Sequence, residues 1–198
     1  MGKNRLEAFS DGVLAILITI MVLELKAPKG AALEELRSLL PVFLSYVLSF
    51  AYLGVYWNNH HHLLHATKQI SAGILWANLY LLFWLSLLPF ATAWMGTSWD
   101  NSSPAPTAVY GFVLLMSAIA YYILQQRILA GHGPESPFAA EFGRDWKGKL
   151  SPLLYVAAIP LALVHPWISN AIYAAVALIW IVPDRRIERA LQPGNVRK

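Results

Sequence analysis

The sequence predicts an all-α, polytopic membrane protein with six transmembrane helices per subunit, and three observations lead there. Hydrophobic residues make up 57% of the 198-residue chain and charged residues only 13%, about half the charge that a water-facing surface carries. Four long stretches, from Ser38 to Asn59, Ile70 to Trp99, Asn101 to Gln126 and Leu150 to Pro183, contain no Asp, Glu, Lys or Arg. The length also fits: six crossings of about 20 residues take about 120 residues, which leaves about 80 for loops and no room for a separate soluble domain.

The first helix is expected over 4–25. Its uninterrupted apolar run, Val13 to Leu23, reaches only about 17 Å as a helix, too short to cross alone. Extending it to a full crossing draws Glu7, Ser10 and Asp11 into the helix. A signal peptide is the competing reading, because Lys3 and Arg5 precede a short apolar stretch. Asp11 is unusual there, however, and no small-x-small cleavage site follows Glu24 and Lys26. The segment Gly30 to Arg37, with Leu33, Leu36 and flanking charges, suits an interfacial position.

Charge-free stretches place further helices at 38–59, 70–95 and 107–128. The last stretch carries Pro152, Pro160, Pro166 and Pro183 and would be about 51 Å long as one helix. A break at His165 and Pro166 turns it into a hairpin of two helices, 150–165 and 167–183. All six helices form one domain spanning 1–198.

Basic residues set the orientation. With the N-terminus inside, only Lys26, Lys29 and Arg37 of the 15 Lys and Arg fall outside, so both termini are expected to be cytoplasmic in a multi-pass protein of the cell membrane. The loop Gly96 to Pro106, with no Lys or Arg, falls outside. Trp57, Trp94, Trp99, Trp146 and Trp167 fall near the expected helix ends, where an amphipathic ring prefers the headgroup region. The net charge of +4 therefore reports topology rather than nucleic-acid binding. With no cysteine, disulfides, thiolate metal sites and thiol catalysis are excluded.

Ionisable residues inside a membrane helix are functional candidates by default. Arg5, Glu7, Ser10 and Asp11 occupy the inner boundary of the first helix; the alternative is an N-cap at Ser10-Asp11-Gly12. Phe9, Gly12, Val13, Ile16, Thr19, Ile20 and Leu23 follow the 3–4 spacing of one helical stripe, which is ordinarily packing. Thr19 is the polar member, and its hydroxyl either bonds its own backbone or donates across an interface.

His60, His61, His62 and His65 follow Trp57-Asn58-Asn59 at the inner end of the second helix. Adjacent His side chains diverge by about 100° on a helix and no Cys, Asp or Glu lies beside them to complete a metal site. They suit polar contacts with neighbouring helices. Asn78, if buried in the third helix, needs partners, and Pro89 in Leu88-Pro89-Phe90 bends that helix by freeing a carbonyl one turn back. Glu24 closes the first helix at the outer face, where several copies would form an acidic mouth, partly offset by Lys26. There is no nucleophile–base pairing, Walker loop, dinucleotide fingerprint, TVGYG-like filter or Arg-every-third helix. The chain reads as non-enzymatic, without cofactor.

Arg5-Leu6-Glu7-Ala8-Phe9-Ser10-Asp11-Gly12, with Ala15-Ile16 and Thr19 to Leu25, resembles the RxxxFSD first helix of the endolysosomal transmembrane potassium channel family, in its single-repeat prokaryotic branch. The Trp57 to His61 run and Asn78 followed by Leu88-Pro89-Phe90 are similar to that family too. The resemblance implies a homotetramer with the first helix of each subunit lining a central pore for potassium and other monovalent cations. It implies a hydrophobic constriction at Ile16 with further apolar rings at Ile20 and Leu23, and a link between Thr19 and potassium preference. It also implies that Arg5, Phe9, Ser10 and Asp11 tie the pore helix to its neighbours, with Trp57, His60 or His61, and Asn78 as partners. A ring of apolar side chains cannot replace an ion's hydration shell, so only modest discrimination between potassium and sodium is expected. The alternative class is a secondary transporter of a small ion or solute, which would bind at the midplane between broken helices.

Overall fold

The computed structural model describes residues 2–28, 30–67, 69–98, 103–131 and 146–181. Within them the regular structure is entirely helical. Helix α1 (Lys3–Leu23) is followed by a 3-10 helix (Leu33–Leu39) that runs into α2 (Leu40–Ala66). Then come α3 (Ala72–Ser86), α4 (Leu88–Thr97), α5 (Pro104–Leu129), α6 (Trp146–Val164) and α7 (Pro166–Ile181). Helices α1, α2, α3 with α4, α5 and α6 are each long and apolar enough to cross a membrane; α7 is a shorter apolar helix.

Two differences from the sequence reading have local causes. The third span is not one helix over 70–95: it breaks at Leu87, whose amide bonds the Trp84 carbonyl as a tight turn while Ala91 restarts the ladder on Leu87. Pro89 has no N–H to continue the ladder and its ring crowds the carbonyl four residues back, so the break falls just before it. The second helix ends at Ala66 and not at 59, because the polar Asn-His run that reads as a terminus is accommodated inside the helix. Trp57 accordingly lies within α2, not near its end. The segment around Gly30 to Arg37 forms the exposed 3-10 helix, with no buried residue.

The break at Pro166 falls where the prolines place it. The amide of His165 still bonds the Leu161 carbonyl at 2.9 Å, and α7 then starts at Pro166. Lys29, Lys68, Trp99, residues 132–145 with Arg144 among them, and the basic C-terminal segment from Val182 onward lie outside the described residues, as do Asp100 to Ser102 of the Gly96 to Pro106 loop.

Helix α5 packs on α3, α4, α6 and α7, and α2 packs on α1, α4 and α7. Two glycines permit the closest approaches. A Cβ at Gly96 would stand 2.8 Å from the Val42 Cα, so α2 and α4 meet backbone to backbone there. One at Gly111 would meet the Tyr173 hydroxyl at 2.0 Å.

The interior is unusually polar for an apolar bundle, and its hydroxyls pair with one another. Ser49 Oγ lies 2.7 Å from Thr92 Oγ1 and 2.9 Å from the Tyr110 hydroxyl. Tyr52 donates to the Tyr173 carbonyl at 2.7 Å and Tyr173 to the Thr107 carbonyl at 3.2 Å. Water is scarce at this depth, so each hydroxyl needs a protein partner, and these pairings lock α2, α4, α5 and α7 together. Helix α1 joins this body along one side only, through α2, α3 and α4.

Candidate functional site

Helix α1 has two faces of opposite fate. Leu6, Ser10, Leu14, Leu17 and Met21, at the 3–4 spacing of one stripe, are buried against the bundle. The stripe carrying Phe9, Gly12, Ile16, Thr19, Ile20 and Leu23 is turned away from it. Phe9 is 48% exposed, Ile16 57%, Ile20 42% and Leu23 77%. Val13, expected in this stripe, instead packs partly against the core. The Thr19 hydroxyl donates to the Ile16 carbonyl of its own helix at 2.8 Å, so its acceptor lone pairs face outward. Glu24 is the exposed C-cap of α1.

The N-terminal half of α1 is held by a polar chain reaching through α3 to α2. His60 Nε2 meets Asn78 Oδ1 at 2.6 Å, and Asn78 Nδ2 donates to Ser10 Oγ at 3.0 Å. Ser10 in turn donates to the Leu6 carbonyl at 2.9 Å. All three side chains are buried. The directions are fixed end to end: the amide oxygen can only accept, so His60 carries its proton on Nε2, and its Nδ1 finds no partner among the described residues. Beside this chain, Trp57 Nε1 donates to Asp11 Oδ1 at 3.1 Å and Glu7 Oε1 pairs with His61 Nδ1 at 2.8 Å.

Of the residues singled out for the inter-helix network, the structure thus brings together Ser10, Asp11, Trp57, His60, His61 and Asn78. Arg5 and Phe9 stand outside it: Arg5 is exposed with no side-chain partner among the described residues, and Phe9 lies on the outward stripe. Both are displaced from Ser10 around the helix and share the direction of Ile16. Sequence reasoning did not find the hydroxyl cluster of Ser49, Thr92 and Tyr110; Ser45 and Ser49, one turn apart on an otherwise apolar helix, are the signal that points to a buried polar seam. No group of three or more His, Cys, Asp or Glu with metal-binding geometry occurs among the described residues.

A family model described as the endosomal/lysosomal potassium channel TMEM175 matches residues 5–89, the stretch that holds α1 and both partners of its polar chain. A protein of Chryseobacterium sp. (strain P1-3), named a potassium channel, is 52% identical over 192 residues, covering 97% of this chain and 99% of that one. The chain belongs to the TMEM175 family. A protein of Streptomyces collinus, also named a potassium channel, is 30% identical over 187 residues, covering 90% of this chain and 91% of that one. The crystal structure of a lysosomal potassium-selective channel TMEM175 homolog from Chamaesiphon minutus superposes with a TM-score of 0.77 at 27% identity, covering 96% of this chain and 98% of that one. The likeness therefore extends over nearly the whole chain of a membrane protein whose relatives are named as channels and not as enzymes.

Proposed function

We propose that this chain forms a potassium-permeable cation channel of the cell membrane, a homotetramer in which four copies of α1 surround a central pore. The observation that carries this reading is the outward stripe of α1. Its opposite face is fixed into the bundle by buried leucines and the His60–Asn78–Ser10 chain, yet a regular row of large apolar side chains points away from the subunit. Thr19 lies on that row, and Arg5 shares its direction at the N-terminal end of the helix.

Around a four-fold axis, Ile16 forms the narrowest ring, with Ile20 and Leu23 as further apolar rings one and two turns outward. An apolar constriction gates by dewetting: water leaves a sufficiently narrow greasy ring, and the ion's hydration shell goes with it. Four Thr19 hydroxyls, each with its proton directed back to the Ile16 carbonyl, would offer a ring of acceptors to a partly dehydrated cation. Such a ring supports modest preference for potassium over sodium, since no carbonyl cage replaces the hydration shell. Glu24 contributes negative charge at the outer mouth, and both termini lie in the cytoplasm. No cofactor is needed; the permeant ion is the ligand.

The test is flux through purified protein in liposomes. A channel passes potassium without coupling to a second ion and in proportion to the gradient; a secondary transporter gives saturable, coupled flux. Coupled flux would overturn the proposal.

A further inference from the structure

The outward row of α1 ends, on its N-terminal side, in a charge that the subunit leaves unpaired. Between Lys3 and Glu24 the chain holds five ionisable side chains: Lys3, Arg5, Glu7, Asp11 and Glu24. Three of them turn toward α2. Lys3 Nζ donates to the His65 carbonyl, Glu7 Oε1 pairs with His61 Nδ1, and Asp11 Oδ1 accepts from Trp57 Nε1. Arg5 is exposed and has no side-chain partner among the described residues. At 100° per residue it falls within about 20° of Ile16 and Leu23 around the helix, about 17 Å from Ile16 along the axis. Lys3, Glu7 and Asp11 point about 120–160° away from it.

Between Arg5 and Ile16 the same side of the helix is built of small residues. Ala8, Gly12 and Ala15 are exposed, and a Cβ at Gly12 would meet nothing within 4 Å. With α1 as the pore helix, these positions leave a vestibule between the constriction and the N-terminal mouth. The Arg5 charge therefore acts on ions across water and not by contact. At the opposite mouth the exposed C-cap Glu24 has the other sign, partly offset by Lys26.

We propose that Arg5 sets the direction of easier flow: four copies form a ring of fixed positive charge that depletes cations at the N-terminal mouth, so the channel rectifies. This rests on the assignment of α1 as the pore helix. A guanidinium keeps its charge at any ordinary pH, and a ring of one sign changes the local concentration of permeant ions. Four unit charges about 10 Å from the axis lower the local cation concentration roughly sevenfold in about 0.01 M salt, roughly threefold in about 0.1 M and hardly at all in about 1 M. The charges behind α1 stand about a helix diameter further from the axis, where screening removes most of their effect.

The experiment is single-channel potassium current through the reconstituted full chain, with equal KCl on both faces and voltages of about +100 and −100 mV. The natural sequence is expected to pass less current when ions enter at the N-terminal mouth, by roughly sevenfold in about 0.01 M KCl and with no asymmetry in about 1 M. Because the chain has no cysteine, Arg5→Cys gives one addressable position per subunit. A positively charged methanethiosulfonate added on one face is expected to disfavour entry from that face, and a negatively charged one to favour it. Both adducts form on the same folded channel, so a folding defect cannot imitate opposite signs. The same current ratio with both adducts, or an asymmetry in the natural sequence that persists in about 1 M KCl, would overturn the proposal. Failure of the pore assignment reads differently: current is then insensitive to substitution at Ile16 as well as to charge at position 5, whereas a sound pore with an idle Arg5 still responds at Ile16.

Discussion

Asn78 is the hinge of the buried chain that orients α1, and its removal has a calculable consequence. In Asn78→Leu the side chain keeps its approximate volume, so no large cavity opens. His60 Nε2–H, which now lies 2.6 Å from Asn78 Oδ1, is left without an acceptor. Since Nδ1 already has no partner among the described residues, the whole imidazole becomes an unsatisfied polar group in a site almost closed to solvent, which costs about 1–3 kcal/mol. Ser10 loses less, because its hydroxyl still donates to the Leu6 carbonyl. In a chain of this length each kcal/mol lowers the thermal midpoint by about 2–4 °C, measurable by the loss of the native elution peak on size-exclusion chromatography after heating. The sign of a second substitution is more telling than the size of the first. In His60→Phe with Asn78→Leu, both polar partners are replaced by apolar groups of similar shape, which leaves nothing unsatisfied between them and is close to neutral. The double variant is therefore expected to be more stable than Asn78→Leu alone. A double variant that loses the sum of two independent penalties would refute the reasoning that His60 and Asn78 act as one unit.

Other outcomes follow from single contacts. Gly111→Ala drives a methyl into the Tyr173 ring, whose hydroxyl would be 2.0 Å away; the displaced ring loses its bond to Thr107, and the midpoint falls by the equivalent of about 1–3 kcal/mol, an effect that Tyr173→Phe should relieve in part. Thr19→Val keeps the shape of the outward stripe and deletes its hydroxyl, so the ratio of potassium to sodium flux should fall while conduction persists; an unchanged ratio would remove Thr19 from selectivity. Because the chain has no cysteine, single cysteines at Gly2 and at Glu34 report topology cleanly with an impermeant thiol reagent, and labelling from opposite faces is expected.

How much of this was legible beforehand depended on which kind of information each feature needs. Membrane class and the number of spans follow from composition and from charge-free runs, which is one-dimensional information. The break at His165 and Pro166 is covalent chemistry and is visible as such. The depth of Glu7, Ser10 and Asp11 follows from a length argument, since Val13 to Leu23 alone cannot cross, and α1 does contain all three. Partnerships were harder. That Asn78 joins Ser10 to His60 while Trp57 takes Asp11 depends on the rotation of α1, α2 and α3 about their own axes, and periodicity within one helix does not encode the register between two. For the same reason Arg5 falls outside the network despite belonging to the motif, and Glu7, which the motif leaves unspecified, pairs with His61. The continuation of α2 through Asn58 to Ala66 was hidden by composition: Asn and His resemble a terminus until their side chains find partners on neighbouring helices. The outward stripe of α1 looks like packing from spacing alone, and only its exposure in the folded subunit distinguishes it.

The central claim is that Ile16 stands on a pore axis, and potassium flux in liposomes on substitution of that residue tests it most directly. Ile16→Asn preserves most of the volume while making the ring wettable, and Ile16→Ala widens it; the account predicts that both raise potassium flux, with a thermal midpoint close to that of the natural sequence, because the side chain is more than half exposed within its subunit. If Ile16 instead filled an apolar core, truncation to Ala would cost about 2–5 kcal/mol. Flux that falls or stays unchanged in both variants, with a lowered midpoint to match, would contradict the account.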